Sequence, residues 1–249
     1  MPYEDMVEKL ADLVRNSERV YALTGVSIST ESGIPDFRSL GPGFLAKIDP
    51  EKSLSLTDLH RNPAQFYQKF LNLWYSFVDA RPNLGHLALS QMEKMGFLKG
   101  VITQNIDGLH KAAGSKNVWE IHGHLRTGYC IRCNHQYSLP EIVSQVEQGG
   151  NPPLCKDCQG IIRPGVVLFE DLMSPDFFNA RSEINGADLL LVAGSKLKVQ
   201  PAASLPSLVH KVAIISQRST TWDKKAVLVI KRSISKTLVD LVDCLRAGI

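Results

Sequence analysis

Gln104, Asn105 and Asp107 follow directly on the apolar run Gly100-Val101-Ile102-Thr103, and a second run, Val118-Trp119-Glu120-Ile121, ends on His122. Short, uniformly apolar runs of this kind form strands buried on both faces. In an open α/β sheet, ligands bind in the crevice beyond the carboxyl ends of such strands. Two side-chain amides, a carboxylate and an imidazole are therefore aimed at one pocket. That set can orient a polar ligand, and an imidazole with an ordinary pKa of about 6.5 can take a proton near neutral pH. A plainer role is open to each. Gln, Asn and Asp also cap helices, and a lone histidine is more often a packed or surface residue than a base.

A second chemistry is carried by cysteine. Four of the five cysteines fall as Cys130-x-x-Cys133 and Cys155-x-x-Cys158, and Cys244 stands alone. Two such pairs in a chain with no secretory start read as two knuckles that offer four thiolates to one zinc ion. A four-thiolate site is closed, with no open position for water, so its metal is structural. Cys244 lies in the apolar pattern of a terminal helix and reads as a small core residue.

The elements that must position these groups alternate in type. The start, MPYEDMVEKLADLVRNSERV, is an acidic amphipathic helix and no signal peptide, which predicts a cytoplasmic protein. A strand, Arg19–Thr24, runs into the small-residue turn Gly25–Thr30 and the expected start of a helix, whose N–H groups would face a pyrophosphate. The GxGxxG glycines are incomplete there, so the turn alone is a weak nucleotide signal. Ser32–Arg38, rich in Gly and Pro, reads as a loop able to cover a ligand. From Leu54 to Met95 the pattern is helical. Its aromatic residues Phe66, Phe70, Trp74 and Phe77, with Leu73, recur at helical steps and read as core.

After the cysteine segment the expected strands are Val166–Phe169, Asp188–Ala193, Val212–Ser216 and Ala226–Ile230. Helices are expected over Ser174–Ile184, around Pro201-Ala202-Ala203, and from about Ile234. This alternation predicts an α/β fold: a doubly wound, parallel, Rossmann-like sheet carrying an inserted smaller domain. The expected division gives residues 1–38, 80–125 and 163–249 to the large nucleotide-binding domain. A helical module at 39–79 and a zinc ribbon at 126–162 make the small one. At 249 residues the chain can bury such a core, and 44% hydrophobic with 21% charged residues is an ordinary globular balance. A net charge of +3 is too small to argue for nucleic acid, and Arg126, Arg132, Lys156 and Arg163 are too few to track phosphates. No apolar window is long enough to span a bilayer.

Taken together, the first turn with SGIPDFR, TQNID at Thr103–Asp107, His122-Gly123, the two cysteine pairs, RPGVVLF from Arg163 and GSKLKVQPAA from Gly194 resemble the sirtuins. These are the NAD-dependent protein deacylases, and the likeness is to their bacterial and archaeal type, a single catalytic core with a four-cysteine ribbon. The resemblance implies an NAD-dependent protein-lysine deacetylase that passes the acyl group to ADP-ribose and releases nicotinamide. It implies His122 as general base, and Gln104, Asn105, Ile106 and Asp107 at the ribose and nicotinamide ends of NAD, with Asn105 also catalytic. Gly25, Val26, Ser27, Thr30, Gly194, Ser195, Lys196 and Ser216 would hold the rest of the dinucleotide. Phe37 would shield the reacting carbon from water, with Asp36 and Arg38 steadying the covering loop. Val167 and Phe169 would line the acyl-lysine tunnel, and the peptide would pair as an added strand.

Against the family pattern, Val26 and Ser27 replace the usual first-turn residues, and Glu170-Asp171 stands for Gly-Glu. Lys196 stands for a small hydroxyl residue and Ser216 for Asn. These departures leave a mono-ADP-ribosyltransferase or NAD hydrolase on the same fold, or a weakened NAD- or ADP-ribose-binding protein, as alternatives. The Tyr-x-x-Arg clamp of sirtuins that favour acidic acyl groups is missing, since Phe70 follows Tyr67, so neutral acyl groups are expected.

Overall fold

The computed structural model describes residues 1–36, 54–75 and 77–248, with the side chains of Asn72 and Leu73 left out. Phe37 and Arg38, and the part of the expected helical module from 39 to 53, lie outside the described residues. The described residues form a six-stranded parallel sheet and a three-stranded antiparallel one.

The large sheet runs in the order β3 (Val118–Glu120), β2 (Gly100–Thr103), β1 (Val20–Thr24), β7 (Leu189–Ala193), β8 (Lys211–Ile215), β9 (Leu228–Ile230). Every residue of β1, β2 and β7 is buried, as strands covered on both faces require. One face packs on α1 (Tyr3–Arg15), α4 (Leu84–Lys94) and α8 (Ile234–Ala247), through Leu10, Val14, Leu89, Met92, Leu238 and Leu241. The other face packs on α7 (Pro175–Ile184) and the 3₁₀ segment Ala202–Leu208. The strand order runs outward in opposite directions from β1 and β7, so the crevice between their carboxyl ends is a topological switch point.

The helices start where their caps predict. Glu4 and Asp5 occupy the first turn of α1, matching the positive end of its dipole. Asn83 caps α4 by accepting from Gly85 N–H at 2.9 Å, and His86 returns a ring nitrogen to Asn83 N–H, closing a capping box.

The small sheet is β5 (Gln136–Ser138), β4 (Gly123–Cys130), β6 (Ile162–Val166). Against it pack α2 (Leu56–Arg61), α3 (Pro63–Tyr75) and α6 (Leu139–Glu147), around Phe66, Tyr67, Phe70, Ile142 and Ile162. Gly123, at φ 75°, carries the chain from the large sheet into the small one directly after His122. Among the described residues no helix is long and apolar enough to cross a membrane.

Two elements differ from expectation. The turn after β1 opens no regular helix there: Val26–Ile28 and Thr30–Ser32 are single 3₁₀ turns. The cause is tertiary, because Gly25 and Ser27 donate their N–H groups to Ala193 and Gly194 carbonyls at 3.3 and 3.2 Å, which ties this turn to the neighbouring strand end. The strand expected at Val166–Phe169 lies earlier, at Ile162–Val166, and pairs antiparallel with β4, so it belongs to the small sheet. Asp171 is the reason Val167–Phe169 leaves that strand: its carboxylate accepts from Leu168 N–H at 2.8 Å and folds the segment back.

Candidate functional site

A cavity of about 370 Å³ opens at the switch point. Its walls bring together Gln104, Asn105, Ile106 and Asp107 from the end of β2, His122 from the end of β3, and Val167 and Phe169 beyond β6. Val26 and Asp36 also face it. A smaller adjoining cleft is lined by Gly25, Ser27, Gly194, Ser195 and Lys196, again with Val26, Asp36 and Gln104. The residues of TQNID, His122 and GSK thus converge.

His122 Nδ1 lies 2.9 Å from the Gln104 carbonyl oxygen. A carbonyl only accepts, so Nδ1 carries the proton and the lone pair of the neutral ring is on Nε2. The backbone carbonyl of His122 accepts from Val167 N–H at 2.8 Å, so the imidazole and the cavity-lining segment beyond β6 share one fixed frame. Asn105 is buried and donates its amide to Gly25 O at 3.3 Å and Ser29 Oγ at 3.1 Å. Asp107 accepts from Ser29 Oγ at 2.7 Å through one oxygen and from Leu109 N–H at 2.9 Å through the other. It therefore holds the first N–H of the short helix α5 (Leu109–Ala112) and faces the cavity at once. Burial pushes its carboxyl above the usual range. Gln104 reaches across the switch point to Ser195 Oγ at 2.8 Å.

The smaller cleft is shaped by close backbone approach. Gly194 is left-handed (φ 76°), and a Cβ on it would stand 2.6 Å from Ile28 N, so any side chain there would displace the first turn. Lys196 Nζ lies 3.2 Å from Asp36, a cation held at the cleft in a largely buried pair. Thr30 is exposed, donates to Ser27 O at 3.0 Å and lines neither cleft. Ser216 sits at the end of β8, where its hydroxyl donates to Arg218 O at 2.7 Å and accepts from Arg218 N–H at 3.2 Å. It too lines neither cleft.

The segment Val166–Asp171, which walls the cavity beyond β6, is held by a buried bidentate pair, Arg163 with Asp171 at 3.1 and 2.5 Å; Arg163 also donates to Val166 O at 2.9 Å. Glu170 takes the left-handed conformation (φ 73°) that a glycine would adopt freely, and Thr57 N–H and hydroxyl hold its carboxylate at 3.0 and 2.7 Å. The departure at this position thus keeps the glycine-like turn. Tyr67 donates to the Ile162 carbonyl, and Phe70 lines the cavity. Lys69, a cation in the wall that the sequence pattern did not single out, is paired with Asp58 at 3.1 Å.

The sulfurs of Cys130, Cys133, Cys155 and Cys158 lie within 4.8 Å of one another. Cys130–Cys158 and Cys133–Cys155 are 3.4 and 3.6 Å apart. Tetrahedral zinc with bonds of about 2.3 Å separates its sulfurs by about 3.8 Å, so the set fits the ion with little adjustment. The Tyr137 hydroxyl, donating at 3.2 Å, helps lower the Cys155 thiol to about 6.

Sequence reasoning passed over the layer behind the cavity. Ser29, fully buried, joins Asn105 and Asp107, and behind it the rings of His86 and His110 pack tilted against each other, their centroids 4.7 Å apart. A serine in a small-residue turn and histidines within apolar helices carry no periodic signal. The one hint was a polar residue recurring on the buried face of α4.

Comparison with known proteins agrees with this geometry. The family model described as the Sir2 family matches residues 25–201. The chain is 42% identical, over 99% of both chains, to NAD-dependent protein deacetylase 2 of Caldanaerobacter subterraneus subsp. tengcongensis. It is 43% identical to the NAD-dependent protein deacetylase of Caldivirga maquilingensis, covering 94% of this chain and 91% of that one. Among solved structures, a Sir2 variant with a deacetylated p53 peptide and 3'-O-acetyl ADP-ribose superposes with a TM-score of 0.91 at 34% identity, covering 98% and 99% of the two chains. A Sir2–p53 peptide–NAD complex does so at 0.87 and 33%, covering 96% and 98%. With the switch-point cavity, the four-sulfur cluster and these likenesses in agreement, the chain belongs to the Sir2 family.

Proposed function

We propose that the chain is an NAD-dependent protein-lysine deacetylase, which transfers the acyl group of an acyl-lysine to ADP-ribose and releases nicotinamide. The observation that carries this reading is His122: its Nδ1–H is committed to Gln104 O, which leaves Nε2 as the basic atom in the wall shared with Asn105 and Val167. Relatives named as NAD-dependent protein deacetylases, and Sir2 structures with NAD or with acetylated and propionylated peptides, support it.

When bound, NAD supplies the ADP-ribosyl group that accepts the acyl and loses nicotinamide. Gly25, Val26, Ser27, Gly194, Ser195 and Lys196 hold the diphosphate, with Lys196 as a point charge. Gln104, Asn105, Ile106 and Asp107 orient the ribose and nicotinamide; Thr30 and Ser216 belong to the dinucleotide site by the family resemblance, although neither lines the two clefts. His122 Nε2 takes the ribose hydroxyl proton. Val167 and Phe169 flank the acyl-lysine, whose peptide adds as a strand, while Asp36, Phe37 and Arg38 cover the reacting carbon and keep water out. Neutral acyl groups fit best, since Asp58 occupies the Lys69 ammonium. Cys130, Cys133, Cys155 and Cys158 hold one structural zinc. The reading divides the chain into a nucleotide-binding domain of residues 1–38, 80–125 and 163–249 and a small domain of 39–79 and 126–162. It places the reaction in the cytoplasm, where thiolate ligands stay reduced.

The test is nicotinamide release from NAD by purified protein, with and without an acetyl-lysine peptide. Release is expected to require the peptide and to equal the lysine freed, and His122→Ala should lower it by roughly 10²–10⁴-fold. Peptide-independent release would replace this function with NAD hydrolysis or ADP-ribosyl transfer.

A further inference from the structure

We propose that His86 is a positioning residue for this reaction, one that fixes the rotamer of Asn105 through Ser29. The inference rests on the proposed function, and its foundation is a hydrogen-bond chain whose direction is fully determined.

Asn83 N–H lies 3.3 Å from His86 Nδ1, and a backbone N–H only donates, so Nδ1 must accept. The single proton of the neutral ring is therefore on Nε2, which points at Ser29 Oγ at 3.4 Å. A serine hydroxyl has one proton and two lone pairs. Ser29 gives the proton to Asp107 Oδ2 at 2.7 Å, and its lone pairs receive Asn105 Nδ2–H at 3.1 Å and His86 Nε2–H. All valences of the hydroxyl are used, so its orientation is not free.

Consequences for the cavity follow. Asn105 is held amide-nitrogen inward, on Ser29 Oγ and Gly25 O, so its carbonyl oxygen is the group left for the cavity side. If the His86 donor is lost, a lone pair of Ser29 is left unmet in a buried site. The hydroxyl can then rotate away from Asp107, and neither Asn105 nor Asp107 keeps one orientation. Burial holds His86 neutral, lowering it to about 4. His110, packed on the same ring, is held below its ordinary value by burial and by His86, while its Nε2 pairs with Thr24 Oγ1 at 2.9 Å. Neither histidine touches the cavity wall, so the effect is transmitted and not direct.

Two substitutions separate this role from helix capping. His86→Gln carries an amide N–H near the Nε2 position and keeps a donor toward Ser29, while weakening the acceptor for Asn83. His86→Asn does the reverse. The nicotinamide-forming rate with saturating acetyl-lysine peptide should fall by roughly tenfold to a hundredfold in His86→Asn, with the KM for peptide unchanged, and His86→Gln should recover most of the loss. Equal rates per folded molecule in both variants, or a faster His86→Asn, would overturn the proposal and leave a capping role. A second readout needs no turnover: ¹⁵N NMR of the histidine rings at neutral pH should show His86 as the Nε2–H tautomer, and the Nδ1–H tautomer would refute the chain. If wild-type protein fails to deacetylate, the proposed function falls, and the tautomer still decides whether His86 directs Ser29.

Discussion

His86 and His110 place two uncharged imidazoles in a layer where protonation has no room. Both are buried, with His86 lowered from 6.5 to about 4 and His110 lowered as well. The unfolded chain takes up these protons at a higher pH than the folded one. Their contribution to stability is therefore complete above about pH 6.5 and is lost as pH falls toward 4. For His86 alone that amounts to about 2 kcal/mol between pH 7 and pH 5. Urea unfolding at those two pH values should show the loss, and His86→Gln should reduce the difference by about that amount. An unchanged pH slope in the variant would mean that the buried ring is protonated without penalty. Lys196 belongs to the same scale: one substitution away from a small hydroxyl, it brings to the small cleft a positive charge that Asp36 accompanies.

Between residue and sheet, the segment Val166–Asp171 shows how an element can be held in place without being regular. It borrows order from Arg163, whose guanidinium joins Asp171 to Val166 O in a site where both side chains are largely shielded. Removing one partner of such a pair strands the other. Arg163→Met should destabilise the protein by about 3–5 kcal/mol and raise the KM for acetyl-lysine peptide more than that for NAD. Thermal unfolding and steady-state kinetics would check this, and equal effects on both KM values would count against the assignment of this wall to the peptide. The segment also marks where the sequence could be read and where it could not. β1, β2 and β7 were legible because strands buried on both faces must be apolar throughout. Val166–Phe169 carries the same apolar signal for another reason, since its side chains line a cavity and a helical module. Hydropathy does not distinguish a strand core from a cavity wall. The first turn was misread as a helix start because its N–H groups go to carbonyls at and just beyond the end of β7, a tertiary contact that local sequence does not record. The TQNID cluster, His122 and the cysteines were legible because their chemistry limits the alternatives, whereas Ser29 and His86 take their partners from segments far apart in the chain.

At the scale of the molecule, the two sheets differ in what supports them. The large one is sandwiched between helices on both faces. The small one has a core on one side and four sulfurs gathered at its far end. Zinc binding to small thiolate modules is worth about 10–16 kcal/mol, as much as the whole stability of an ordinary domain. Removal of zinc with a chelator should therefore melt the small sheet first, split a single calorimetric transition into two, and abolish deacetylation, with recovery on adding zinc back. One unsplit transition after removal would show that apolar packing alone supports the ribbon.

The chain passes from the large sheet to the small one at Gly123, immediately after His122, and the His122 carbonyl also receives Val167 N–H as the chain returns. Two of the chain's passages between the modules meet at that histidine, and another leads from α3 to α4. For a rigid body turning about a crossing, displacement grows with distance from it. Rocking of the small sheet about this crossing would thus move the cysteine cluster, at the other end of β4, further than the imidazole. His122 thus lies beside a crossing, where such a motion would shift the imidazole less than it shifts the far end of the small sheet.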